Sequence, residues 1–208
     1  MRNLYRFKLF LGLMVFMVCS SMVSAEATDH FIWDGLLKKH VSPVENGGST
    51  HVNYAGFLND RSILKTYLDQ LSTLSSEDFD ALPNDAQLAF LINAYNAWTV
   101  EFILTEYPDI ESIKELGGFF SSPWSKRFIP LLGDTRSLDD IEHTLIRGSD
   151  RYQDVRIHFA VNCASLGCPA LRAEAYTGQA LDAQLGAQTR QFLSDKTRNR
   201  FTHNTLEV

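Results

Sequence analysis

The sequence predicts an α+β fold, a mostly helical single domain in which a long buried central helix packs on a small β-sheet. Three observations carry that expectation. From Ala86 to Val100 the chain holds no charged residue and carries apolar side chains all the way round, the pattern of a helix buried on most sides. Four further stretches place apolar residues at helical spacing. Between Val155 and Asn162, Val155, Ile157, Phe159 and Val161 alternate with Arg156, His158, Ala160 and Asn162, the period of a half-buried strand.

Residues 1–25 read as an export signal. Arg2, Arg6 and Lys8 form a basic start, Leu9 to Val18 an apolar core, and Val23-Ser24-Ala25 a small-residue cleavage site before Glu26. The apolar run is too short for a membrane anchor, and Cys19 is lost with the signal. Cleavage leaves 183 residues, with 16 Lys+Arg against 25 Asp+Glu, a net charge of −9. That size suits one domain, residues 26–208. The charge argues against nucleic acid, and stable membrane insertion after cleavage is not expected. The expected location is periplasmic or secreted.

Within this domain, His30 to His40 reads as a short helix, with Lys38 and Lys39 in its last turn. Ser42 to Thr50, carrying Pro43, Gly47 and Gly48, reads as a loop. Leu58, Ile63, Leu64, Tyr67, Leu68 and Leu71 predict a second helix over Ala55 to Leu74. Ser75 or Ser76 caps a short turn through Leu82, and Pro83-Asn84-Asp85 starts the central helix, Asp85 to Tyr107. Within it Asn93 and Asn96 lie three apart and share a face. Either they bind the backbone of a neighbouring loop or they line a pocket and hold a catalytic group.

Ile110 to Leu132 is rich in glycine, proline and aromatics (Phe119, Phe120, Trp124, Phe128) and reads as a packed loop. Ser137 caps a helix that carries acids in its first turn, runs to Arg147 and stops at Gly148. After the strand, Thr177 caps a last helix, Gly178 to Leu193. Arg200 to Thr202, a His203-Asn204 turn and Thr205 to Val208 make a terminal hairpin.

The stretch Leu88 to Val100, Leu-Ala-Phe-Leu-Ile-Asn-Ala-Tyr-Asn-Ala-Trp-Thr-Val, resembles the "AFWINAYNAxTV" signature of domain-of-unknown-function 547 (DUF547). Ser137 to His143 and Arg156 to Leu171 resemble its other two signatures, in the same order. The likeness runs from about Trp33 to the C-terminus. It implies that the His and Cys stretches are shared family features. Members usually continue with a strand and helix of the "WY..DF" kind, so a copy truncated at its C-terminus or divergent there is expected.

A thiol site needs a thiolate, a base to make it and a group to orient the base. Cys163 is the candidate nucleophile, at the end of the expected strand. His143, one turn after Asp139, or His158 is the candidate base, and Asn93 or Asn96 the orienting amide. The expected chemistry is then a thiol-dependent hydrolase or acyltransferase acting on an amide or ester. The competing reading bonds Cys163 to Cys168 in a structural disulfide, which an exporting compartment favours, and makes the chain a non-enzymatic binding or accessory protein. A zinc site of His143, His158, Cys163 and Cys168 ranks last, and no cofactor or metal is expected. The partner would be a small-molecule, peptide or cell-envelope substrate.

Overall fold

The computed structural model describes residues 29–44, 48–118, 121–165, 167–196, 199–202 and 205–207. The expected export signal, Phe119, Phe120 and the His203-Asn204 turn lie outside the described residues.

Helix α1 (Phe31–His40) leads into a hairpin of β1 (Val41–Pro43) and β2 (Thr50–Val52). The helix expected over Ala55 to Leu74 is broken in two, α2 (Tyr54–Asn59) and α3 (Arg61–Thr73). The break falls at Asp60, whose carboxylate is drawn to Lys39 at 2.6 Å and His40 at 2.7 Å on α1. Asn53 caps α2 by accepting from the Gly56 N–H at 2.9 Å. Glycine is required at 56, because a Cβ there would lie 2.4 Å from His40 Nδ1. Helix α4 (Ser76–Asp80) is capped by Ser75.

Central helix α5 (Asn84–Leu104) is buried at every position from Gln87 to Leu104 except half-buried Trp98. The expected burial on most sides is borne out. Its principal neighbours are helices, α3 among them, and an aromatic cluster forms beside α3. There Trp33 stacks on Tyr67 at 6.0 Å and tilts against Phe57 at 6.0 Å. Such offset contacts add about 1 kcal/mol each beyond the area they bury.

One charge of the central helix is buried. Glu101, 7 % exposed, accepts from Arg61 Nε at 3.1 and 3.2 Å and from Nη2 at 2.7 Å. Removing the guanidinium leaves a carboxylate in a low-dielectric setting with its best partner gone. Arg61 is itself partly exposed, so water recovers part of the loss. Arg61→Ala is expected to lower stability by about 2 kcal/mol, read from urea unfolding midpoints.

After α5 the chain makes two short 3₁₀ turns (Ile113–Leu116 and Pro123–Ser125). It then forms a hairpin of β3 (Ile129–Leu131) and β4 (Asp134–Arg136), part of which the sequence reads as loop. Its turn is Leu132-Gly133, with φ of 53° and 76°. Helix α6 (Asp140–Ile146) starts at the expected Ser137, whose Oγ accepts from the Asp140 N–H at 3.0 Å. It is π-helical, and the Glu142–Arg147 ion pair at 2.8 Å spans the matching five-residue repeat. Helix α7 (Leu181–Ser194) and the hairpin β5 (Arg200–Thr202) and β6 (Thr205–Glu207) close the chain.

The expected strand Val155–Val161 is a 3₁₀ turn, Val155–Phe159. Asp154 caps it by accepting from the Arg156 N–H at 2.9 Å, and the main chain bonds Ile157 N to Asp154 O and Ala160 N to Ile157 O. Val155 is 86 % exposed, whereas Ile157, Ala160 and Val161 are buried, a helical i, i+3, i+4 set. The fold is therefore mixed and mostly helical, as expected. Its described strands form three separate two-stranded antiparallel hairpins rather than one sheet under the central helix.

Candidate functional site

The face of α5 that carries Asn93 and Asn96 organises the surrounding loops. Asn93 Nδ2 donates to the Tyr176 carbonyl at 2.7 Å, and the Tyr176 N–H donates back to Oδ1 at 3.0 Å. Asn96 Nδ2 donates to the Ala160 carbonyl at 3.0 Å, and the Asn162 N–H donates to its Oδ1 at 2.8 Å. Each amide thus serves one main-chain donor and one acceptor. Between them they anchor both ends of the segment that carries the cysteines.

Within that segment Cys163 and Cys168 are joined as a disulfide, with Cα atoms 5.9 Å apart. Asn162 braces the loop from inside. Its Nδ2 donates to the Pro169 carbonyl at 2.6 Å and its Oδ1 accepts from the Ala164 N–H at 3.1 Å. Ala164 sits at φ 54°, the left-handed conformation the tight turn demands. From outside, Gln188 Nε2 donates to the Ala170 carbonyl at 2.6 Å and Thr50 Oγ1 to the Leu171 carbonyl at 2.8 Å. The loop is held at several points besides its disulfide.

This braced loop forms one wall of a cleft of about 590 Å³. Strand β2 and Tyr54 line a second wall, and Glu111, Ser112 and Lys114 a third. Burial pushes the Tyr54 phenol up to about 12, so it stays a neutral hydroxyl at physiological pH. With Thr50, Ser112 and Ser165, the cleft offers hydroxyls, an ammonium, a carboxylate and an imidazole.

The histidines singled out in the sequence lie elsewhere. His143 is exposed on α6, its Nε2 4.0 Å from Asp139. His158 is exposed on the 3₁₀ turn, where its Nδ1 accepts from the Arg147 guanidinium. It lines a different cavity, with Tyr152 and Phe159. The amides of Asn93 and Asn96 are spent on backbone, the first of the two roles weighed for them. Neither Asn nor either His lines the cleft at the cysteines. The histidine that does is His51, on a strand too short for its alternation to be read in a Gly-rich context. Among the described residues no group of three or more His, Cys, Asp or Glu is gathered to hold a metal ion.

A family model described as "Protein of unknown function, DUF547" matches residues 79–193. No curated protein and no solved structure gives a significant match. The matched span, more than half of the chain, includes both asparagines of α5, the cysteine loop and nearly all of α7, and it begins after β2. The chain belongs to the DUF547 family, whose function is unknown.

Proposed function

We propose that this protein is an exported, non-enzymatic binding or accessory protein whose ligand site is the cleft beside the Cys163–Cys168 loop. The observation that carries this reading is the disulfide in the cleft wall, because a bridged Cys163 has no thiolate with which to attack an amide or ester. The ties around the loop suit a rigid wall, and rigid walls reduce the entropy that binding must overcome. Export is supported by the basic start, short apolar core and Val23-Ser24-Ala25 of the sequence, and by a disulfide that oxidising compartments preserve. A periplasmic or secreted location follows from the same reading.

A thiol-dependent hydrolase or acyltransferase is the second reading. One observation favours it: His51 and Cys168 line the same cleft, so a reduced loop would put an imidazole and a thiol in one cavity. Mass spectrometry of the non-reduced exported protein after iodoacetamide treatment separates the two. The binding reading expects a chain starting at Glu26, two hydrogens lighter than the reduced form and without alkylation. Rapid, pH-dependent labelling of Cys163 alone would replace it with the enzyme reading.

A further inference from the structure

The two outer edges of the β1–β2 hairpin differ in a way that points to a ligand class. In an antiparallel pair, opposed residues alternate between those that exchange hydrogen bonds and those whose N–H and C=O point outward. The bonds Val44 N to Ser49 O and Asn53 N to His40 O set the phase. With Ser42 opposite His51, the bonded positions are 42 and 51, and the outward-pointing ones are Val41, Pro43, Thr50 and Val52. On the β1 edge no N–H is left to offer: that of Val41 is taken by the Leu37 carbonyl, and Pro43 has none. On the β2 edge, among the described residues, the main chain of Thr50 and Val52 has no hydrogen-bond partner. Proteins usually blunt an exposed strand edge, and here one edge is blunted by proline while the other borders the cleft.

Resting on the cleft reading above, we propose that the ligand is an extended polypeptide segment that adds to β2 as a third strand along the edge that borders the cleft. Thr50 and Val52 offer two N–H donors and two carbonyl acceptors, the complement of alternate residues in an extended peptide. Three paired residues span roughly 10 Å. The opposing charges of Glu111 and Lys114 have no ion-pair partner among the described residues, and with the hydroxyls of Ser112 and Ser165 they suit a polar peptide rather than a lipid tail. Recognition through the main chain makes the site tolerant of side-chain sequence.

The oxidised full chain is panned against a random dodecapeptide library, and an enriched peptide is synthesised with single N-methyl groups along its backbone. Strand addition expects methylation at alternate positions to weaken binding about tenfold or more, and methylation between them to change it little. Amide exchange at Thr50 and Val52 should slow on binding, and Val52→Pro, which removes an outward N–H, should abolish it. If Val52→Pro fails to fold, the N-methyl pattern decides alone. Uniform tolerance of N-methylation, or protection that falls elsewhere than β2, overturns strand addition and leaves the cleft reading standing, as does a library that yields no binder. Alkylation of Cys163 in the thiol assay overturns the cleft reading whatever the peptides do.

Discussion

Asn93→Ala is expected to cost about 4 kcal/mol of stability, because one small change removes two buried hydrogen bonds and strands both groups they served. Asn93 is fully buried, and both of its bonds go to the main chain of Tyr176, itself buried. Alanine leaves that N–H and C=O without partners where water does not reach. Asn93→Asp makes the point sharper, since a carboxylate still accepts from the Tyr176 N–H but turns an oxygen towards its carbonyl. The aspartate variant should therefore be no more stable than the alanine variant at pH 7. Asn96→Ala breaks the matching pair to Ala160 and Asn162, where Asn162 is only half-buried, so a smaller loss of about 2 to 3 kcal/mol is expected. Its local signature is faster amide exchange at Asn162, next to the cysteine loop. Urea unfolding and hydrogen exchange give both readings. Losses below about 1 kcal/mol at Asn93 would mean that its amide does not hold the Tyr176 main chain in the folded protein.

The same asparagines show how far a sequence carries such an argument. That they lie on one face of a buried helix follows from spacing and from the charge-free run around them. That each grips a particular stretch of backbone does not, because Tyr176 and Ala160 lie 83 and 64 residues away along the chain. Caps are legible for the opposite reason. Ser75 and Ser137 act on residues three positions on; Ser137 is where the sequence puts it, and Ser75 is one of the two serines the sequence offers.

Alternation misleads at Val155–Val161 because residue type stands in for burial. Val155 is apolar yet almost wholly exposed, and the Asp154 cap with its Arg156 ion pair at 2.6 Å commits the chain to a tight turn. The β3–β4 hairpin escapes notice because Leu132 takes the left-handed position that Asn or Gly would advertise. The cysteine loop is legible as the place of interest. Its cleft partner is hidden by distance, since β2 lies more than a hundred residues earlier and meets the loop only through the fold.

Acid is expected to destabilise the protein through His30, and the size of the effect follows from its burial. His30 is 7 % exposed, packs its ring edge-on to Tyr67 with centroids 6.0 Å apart, and holds the Tyr67 hydroxyl at 2.8 Å through Nδ1. Desolvation lowers its pKa to about 4, against the opposing pull of Asp29. The unfolded chain takes up this proton near 6.5, while the folded chain resists it until about pH 4. Above pH 6.5 both states hold a neutral ring and the contribution is fully present. As pH falls from 6.5 towards 4 the unfolded state binds more protons, and stability declines by about 3 kcal/mol in total. Below pH 4 both states are protonated and this loss stops growing. Carboxylates titrate in the same range, so the comparison must be with His30→Gln, which retains an amide for Tyr67 and has nothing to protonate. At pH 7 the variant should be less stable, by about 1 kcal/mol for the poorer hydrogen bond and packing. At pH 4 it should be more stable, and the two urea-derived stability curves should cross between about pH 5 and 6. Parallel curves over that range would mean that His30 carries a proton in the folded protein, and the buried neutral ring would have to be abandoned.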